Sequence, residues 1–364
     1  MILFFVKFIL TNIIFSTVIC VFFLSLKKKS VFSNRELFLY CLGSGPVFTS
    51  LILYFLLLLL PHFPYFFYFL SVLAVYVLLF SLSKKYYGVL WKDLSDLLRQ
   101  IKMNFSSPDM KKRREYIIVS ALLLLMLFAS LFLYLTNTLQ TPLDGTDALK
   151  YGTLGKIFFQ EKGLTYRWVR PYPQTGFYFD MNTAPSFSLL STWERIINSF
   201  FDAGGDVYYK SISAYFALLI LTLFVFWLSK KSRYLALLGV LGLLSGFSFF
   251  QTLVLQHLDS YRIFLLLVSW IFLGYAVRKK DDFSFLLLGV FSGFAAFAHT
   301  IGAVIVIFNC LVLFMFLRGD IRYRLSKAAK VFLLIILLGW VHYVLDLFWG
   351  YGWIIFDRNI TYWG

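Results

Sequence analysis

The chain consists of long apolar runs separated by short polar segments. The runs have roughly 17–25 residues, the length that an α-helix needs to cross the hydrocarbon core of a bilayer. They do not alternate with a period of two, so they are not strands of a membrane β-barrel. We predict about ten membrane-spanning helices, at residues 3–25, 36–60, 63–82, 116–136, 211–229, 234–254, 262–277, 283–299, 301–317 and 330–348.

The composition supports a membrane environment. Hydrophobic residues make up 60% of the chain and charged residues 14%, which is more apolar than a soluble domain of 364 residues can bury. The first apolar run is too long for a cleaved signal peptide, so we expect it to be retained. Cys20, Cys41 and Cys310 all lie inside apolar runs and predict neither a disulfide framework nor a metal site.

Basic residues occur in clusters between the apolar runs. In the ten-helix arrangement these clusters all fall on one side, at residues 27–29, 84–85, 111–114, 230–233, 278–280 and 318–330. Since Lys and Arg accumulate in cytoplasmic loops, that side is predicted to be the cytoplasm. The net charge of +16 is therefore interpreted as a topology signal and not as a nucleic-acid surface.

Residues 84–115 combine basic residues with Trp91 and leucines at helical spacing. We predict an amphipathic helix that lies on the membrane surface against anionic lipid headgroups. This segment divides the chain into an N-terminal three-helix extension (1–83), the basic interfacial segment (84–115), a membrane core (116–348) and an outer tail (349–364).

The outer loop 137–210 is far longer than a connection requires, and long loops often carry function. It opens with Asp144 and Asp147, and the spacing of apolar residues predicts a helix over 147–159 that lies along the membrane surface. Asp147 could simply cap that helix, and Asp144 could be a turn residue. Both carboxylates are also candidates for chemistry at the outer face.

Other ionisable residues within or next to the spans are predicted to lie at the same outer level: Asp259, Arg262, His299, His342 and Asp346. Ionisable groups at membrane depth are costly and usually face a cavity or a partner. Structural alternatives are an Asp259–Arg262 surface pair, a His299 bonded to backbone, and a His342–Asp346 pair four residues apart.

The order of these motifs resembles the GT-C superfamily of polytopic glycosyltransferases, which includes protein O-mannosyltransferases, lipid A aminoarabinose transferases and oligosaccharyltransferase catalytic subunits. The segment from Asp144 through Tyr151 to Gly163 is similar to the acidic opening of that family's first outer loop. The run around Pro185 resembles its loop-closing proline motif, and Asp259 stands at its second acidic position.

The resemblance extends to the Gly-rich helical hairpin with His299 at its apex, a position where the family usually carries a basic residue. It covers residues 116–348 and implies an all-α polytopic membrane protein with a GT-C-like core of seven helices and interfacial helices in the outer loop. Family members generally continue through further helices, so the chain is expected to be a fragment or a reduced member.

The resemblance implies transfer of a sugar from a polyprenyl-phosphate donor to an acceptor on the non-cytoplasmic face of a plasma or inner membrane, with inversion at the anomeric carbon. Asp147 or Asp144 would be the base or a metal ligand, and Asp259 would complete the acidic cluster, with Mg or Mn as the possible divalent cation. His299 or Arg262 would contact the lipid phosphate. Further candidates for substrate binding are His257, Arg167, Arg170 and Tyr151. Arg167 and Arg170 belong to an aromatic and basic stretch that an interfacial aromatic belt would explain equally well.

Two other functional classes stay open. A transporter or flippase of lipid-linked glycans would also place acidic and histidine residues near a polar cavity. We see no inverted repeat, and the acids gather at the outer surface, which favours transfer over transport. A structural membrane subunit is the third interpretation. The sugar and the acceptor, whether glycan, lipid or protein, are not specified by the sequence.

Overall fold

The computed structural model describes residues 9–27, 33–106, 109–140, 146–164, 184–201, 211–246, 249 and 258–348, and within these ranges all regular structure is helical. A π-helical turn, Ile9–Ile14, leads into the first helix. The helices are α1 (Phe15–Leu26), α2 (Asn34–Cys41), α3 (Ser44–Leu59), α4 (Tyr65–Ser83), α5 (Tyr87–Phe105), α6 (Met110–Gln140), α7 (Thr146–Glu161), α8 (Ser186–Phe201), α9 (Ser211–Ser229), α10 (Arg233–Ser245), α11 (Asp259–Lys279), α12 (Asp282–Ala298), α13 (Thr300–Phe316), α14 (Ile321–Ile335) and α15 (Val341–Phe348).

Helices occur in the described part of every predicted span. The run 36–60 differs from the prediction because it forms two helices, α2 and α3, bent by 48°. The last run belongs to a longer element, in which α14 continues through a π-helical segment, Ile336–Trp340, into α15. The helix predicted over 147–159 is confirmed as α7, and the segment 84–115 contains α5 and the start of α6.

Hydroxyl groups from three other helices satisfy the backbone at the bend between α2 and α3. The Leu42 carbonyl accepts hydrogen bonds from Ser16 Oγ and Tyr215 Oη, both at 2.5 Å. Tyr76 Oη donates to the Gly45 carbonyl at 2.9 Å. Because carbonyls freed at a helix break need partners in an apolar surrounding, these contacts allow the chain to bend inside the bundle.

Helix α12 is the centre of the C-terminal half and packs against α11, α13 and α14. Small residues allow the close approach: a Cβ added at Gly293 would lie 2.8 Å from Leu338 Cβ, and one added at Gly339 would lie 2.5 Å from the Gly293 carbonyl oxygen. Interfaces of small residues are typical of helix association in membranes, where dispersion contacts and not the hydrophobic effect hold helices together.

Five helical stretches in the described ranges are long and apolar enough to cross a membrane, or six if the bent α2–α3 pair forms one span. Further apolar helices of 10–17 residues include α10, α12 and α13. Many large apolar side chains point outward, among them Leu124 (64% exposed) and Phe128 (67%) on α6. A surface of this kind indicates association with a membrane.

The first three predicted spans support the helices of the outer loop. Trp193 on α8 packs against Phe15 of α1 and Phe69 of α4, with ring centroids 6.1 and 5.9 Å apart. At the far end of α7, the Lys162 carbonyl accepts hydrogen bonds from His62 N at 2.7 Å and Tyr68 Oη at 2.9 Å. These contacts cross the predicted boundary between residues 1–83 and the core, so the extension and the loop helices pack as one structure.

The contact between α7 and α8 depends on Gly155. A Cβ at this position would lie 2.6 Å from the Ser188 carbonyl oxygen, so we expect Gly155→Ala to destabilise the protein by about 1–3 kcal/mol through overpacking. The thermal unfolding temperature of detergent-purified protein measures this change. Gly242→Ala on α10 is the matched control, because no atom lies within 4 Å of its added Cβ. The control is expected to unfold at or above the wild-type temperature, and equal effects of the two variants would contradict this account of the α7–α8 contact.

Candidate functional site

The start of α11 carries an ion pair that is accessible from outside the bundle. Asp259 and Arg262 are three residues apart on one helical face, and Arg262 Nη2 lies 2.6 Å from Asp259 Oδ1. Their side chains are 40% and 28% exposed. The surface pair that the sequence offered as a structural alternative is therefore present, and both charged groups remain partly exposed.

Three segments that are distant in sequence meet beside this pair. Phe187 of α8 contacts both Tyr151 of α7 and Tyr261 of α11, with ring centroids 5.6 and 5.8 Å apart. The early turns of the three helices therefore lie together. Since helix N-termini carry partial positive charge, this arrangement suits a negatively charged ligand.

A chain of buried hydroxyl groups fixes the relative positions of these helices. Ser186, the first residue of α8, lies 2.5 Å from Tyr261 Oη and 2.8 Å from Ser50 Oγ of α3. In an apolar interior each of these polar groups needs its partner. The chain of three hydroxyls thus connects α3, α8 and α11, and it includes Tyr261, which lies between Asp259 and Arg262 in the sequence.

Removing the central ring hydroxyl tests this connection. We expect Tyr261→Phe to lower the free energy of unfolding by about 0.5–1.5 kcal/mol, because Ser186 keeps its bond to Ser50 and loses the other. Chemical or thermal unfolding of the purified protein measures the change. Tyr234→Phe, on an exposed ring of α10, serves as the control. An equal loss of unfolding free energy in Tyr234→Phe would contradict the stabilising role of the hydroxyl chain.

Several predicted site residues lie outside the described part of the chain, either wholly or in their side chains. The backbone of Asp147 lies in the first turn of α7, one helical turn before Tyr151, and its side chain is not among those described. The same holds for the side chain of Asp346 in α15. Predictions that lie wholly outside the described residues concern Asp144, Arg167, Arg170 and His257.

His299 and His342 lie at the same end of the bundle as Asp259. His299 caps α13, and its Nδ1 accepts a hydrogen bond of 2.9 Å from Ile301 N. His342 is fully buried, and its ring packs against Phe297 with centroids 5.6 Å apart. Phe297 also contacts Tyr54 of α3, one turn from Ser50. The backbone contact that we considered for His299 as an alternative is therefore present, and it orients the ring at the start of α13.

The described side chains do not themselves form a metal site. They include no group of three or more His, Cys, Asp or Glu residues in reach of one ion, and Asp259 Oδ1 is engaged by Arg262. Carboxylate oxygens are the ligands that Mg and Mn prefer, so a site shared by Asp147 and Asp259 remains a prediction.

The structure reveals a carboxylate that the sequence did not single out. Glu194 of α8 is buried. It is seven residues after Phe187 and three after Ser191, so it shares the face of α8 that packs against α7. Pro185 and Ser186 followed by an amphipathic pattern form a recognisable signal for the start of a helix. This signal would have identified α8 and, with it, Glu194.

Comparisons with known proteins add no assignment: no protein-family profile, no curated protein and no solved structure matches this chain. The fold and the site therefore define the class of protein by themselves. Within the described ranges it is all-helical, with at least five membrane-length apolar helices and a polar cluster at one end of the bundle.

Proposed function

We propose that the chain is a multi-pass membrane glycosyltransferase, with about ten spans, that transfers a sugar from a polyprenyl-phosphate donor at the non-cytoplasmic face. The observation that carries the proposal is the convergence of α7, α8 and α11 through Tyr151, Phe187 and Tyr261. It brings α7, which carries Asp147 in its first turn, next to the accessible Asp259–Arg262 pair. An acid and a cation close to several helix N-termini are the groups that this reaction requires.

The chemistry assigns a role to each group. The oxygen of an acceptor hydroxyl attacks the anomeric carbon, and the bond from that carbon to the phosphate oxygen breaks. The phosphate departs with the electron pair, and Asp147 or Asp144 takes the acceptor proton as general base. Arg262, held by Asp259, donates hydrogen bonds to the departing phosphate, with His299 as a second candidate for this contact. Direct displacement inverts the anomeric centre.

The placement of charges supports the sidedness of this proposal. Residues of the basic cluster 230–233 lie at the opposite end of the bundle, where Lys230 just after α9 pairs with Glu36 of α2. Arg233 stacks on the Tyr116 ring of α6, with its Cζ 3.9 Å from the centroid. Basic residues prefer the cytoplasmic side, so the end with Asp259 and His299 is assigned to the outside.

A transporter of lipid-linked glycans is the second candidate. The observation that favours it is the broken α2–α3 pair, since discontinuous helices with polar partners at the break line the substrate sites of many transporters. The partners at this break are hydroxyl groups of Ser16, Tyr76 and Tyr215. Among the described residues, however, the Asp, Glu, His, Lys and Arg side chains lie toward the two ends of the bundle and are not among the groups bonded at the break, which is why we prefer transfer.

The test of the proposal is transfer of labelled sugar from polyprenyl-phosphate donors in membranes that contain wild type, Asp147→Asn or Asp259→Asn at matched protein levels. Loss of transfer in either variant is expected. Asp96→Asn, on α5 at the opposite end, is the control and should transfer like wild type. Wild-type rates in both site variants would contradict the assignment of the site.

A further inference from the structure

A polar groove lies at the basic end of the bundle, far from Asp259. Its volume is about 720 Å³, and it is bounded by the end of α1, the start of α2, one face of α5 and the end of α9. The charged and polar groups that line it include Lys27, Asn34, Arg35, Glu36, Asp93 and Lys230. The proposed transfer chemistry uses none of these residues.

Hydrogen bonds across the groove attach α5 to the rest of the bundle. Lys27 Nζ donates to Asn34 Oδ1 at 2.7 Å, and Asn34 Nδ2 donates to Asp93 Oδ2 at 2.5 Å. Arg35 Nε donates to the Asp93 carbonyl oxygen at 3.2 Å. A continuous polar network therefore holds the walls of the groove in place, so the shape of the groove is fixed by the fold.

The groove has an excess of positive charge. Three cations (Lys27, Arg35 and Lys230) face two carboxylates, and one of these, Glu36, is already engaged by Lys230 and by Ser33 N of its own capping box. Burial lowers the pKa of the Lys27 ammonium group, and this effect outweighs the attraction of Asp93. An anion in the groove would relieve the cost of holding a desolvated ammonium there.

The helix beside the groove presents apolar side chains to its surroundings. Trp91 and Leu98 of α5 are 63% and 67% exposed. Exposed basic residues flank these side chains: Lys92 and Arg99 directly follow Trp91 and Leu98, and Lys102 lies one helical turn after Leu98. A helix with neighbouring exposed apolar and basic side chains suits the headgroup layer of a bilayer. A lipid with an anionic head and an acyl tail would match both the charge of the groove and this position in the headgroup layer.

We propose that the groove binds the phosphate of an anionic phospholipid headgroup, with Lys27 and Lys230 contacting the phosphate oxygens while α5 lies in the same headgroup layer. This site rests on the placement of the chain in a membrane and is independent of sugar transfer, so the failure of one proposal leaves the other standing.

The experiment measures lipid affinity of the full chain purified in detergent, by native mass spectrometry and by the shift in unfolding temperature. Phosphatidylglycerol is titrated against phosphatidylcholine and inorganic phosphate. Wild type is expected to bind phosphatidylglycerol and to be stabilised by it, and to respond weakly to the other two. Lys27→Gln is expected to weaken phosphatidylglycerol binding about fivefold, the factor that one basic residue contributes at an anionic membrane surface.

Two further variants test whether the groove residues themselves bind the lipid. Lys231→Gln removes a neighbouring exposed cation that does not line the groove and should bind like wild type. The Glu36→Gln/Lys230→Gln double variant removes the Lys230 contact to the phosphate but leaves the excess of groove cations over carboxylates the same, so it is expected to weaken binding less than Lys27→Gln does. Unchanged phosphatidylglycerol affinity in these groove variants, or equal stabilisation of wild type by phosphatidylcholine or inorganic phosphate, would overturn the proposal.

Discussion

Asp259→Asn is expected to lower the rate of sugar transfer by about 10²–10³-fold at matched protein levels, the effect of losing one preorganised group that stabilises the charge of a transition state. The variant keeps a side chain of the same size but removes the charge that holds Arg262 Nη2 at 2.6 Å. The guanidinium group is then no longer held in position for the departing phosphate. Initial rates with a labelled polyprenyl-phosphate sugar measure the change.

A double-mutant cycle tests whether Asp259 and Arg262 act as a unit. If Asp259 works by positioning Arg262, the Asp259→Asn/Arg262→Gln variant should be no slower than Arg262→Gln alone. Multiplicative losses in the double variant would mean that the two residues act separately. Asp96→Asn again provides the control, because its carboxylate lies on α5 at the other end of the bundle.

Lys230→Gln is expected to lower the free energy of unfolding by about 1–3 kcal/mol, because it leaves the carboxylate of Glu36 without its counter-charge. The Glu36 side chain is 10% exposed, whereas that of Lys230 is 50% exposed, so solvent screening places the loss below that of a fully buried pair. Denaturant unfolding of the purified protein measures the loss.

The double variant Glu36→Gln/Lys230→Gln is expected to recover part of that stability, since neither group is then left charged without a partner. Lys231→Gln controls for the loss of a positive charge at the same end of α9. A double variant as unstable as the sum of its two single variants would show that the ion pair does not couple α2 to α9.

Helix positions could be predicted from the sequence because each apolar run is long and ends in charged residues. The predicted span 211–229 coincides with α9, and 283–299 differs from α12 by a single residue at each end. The bend between α2 and α3 was missed because the run is apolar throughout. Gly43, Gly45 and Pro46 mark the bend in the sequence, and Pro46 is tolerated because it lies in the first turn of α3.

The end of the bundle at which the candidate site lies could also be predicted, since the order of spans alone places Asp259 and His299 together. The contacts that build the site could not. Ser186 bonds to Ser50 and Tyr261, which are 136 and 75 residues away. Such pairings depend on how α8 packs into the bundle, and no local pattern specifies that packing. The Glu36–Lys230 pair, 194 residues apart, was invisible for the same reason.

The sequence did not predict that the N-terminal helices support the outer-loop helices. The resemblance to polytopic glycosyltransferases begins at residue 116 and assigns no role to the first three spans. In the structure, Tyr65 of α4 stacks on Phe159 of α7 with centroids 4.2 Å apart, and Trp193 packs between α1 and α4. These helices form the surface on which α7 and α8 are held next to α11.

The most direct test of the central claim uses purified wild-type protein in detergent micelles, where no gradient and no second compartment exist. Labelled polyprenyl-phosphate sugar is mixed with a membrane extract as the source of acceptor, and labelled product is separated from donor. A glycosyltransferase is expected to form product of inverted anomeric configuration under these conditions. Absence of product in micelles, together with movement of the labelled lipid-linked sugar across intact vesicles that contain the protein, would contradict the proposal and identify a carrier.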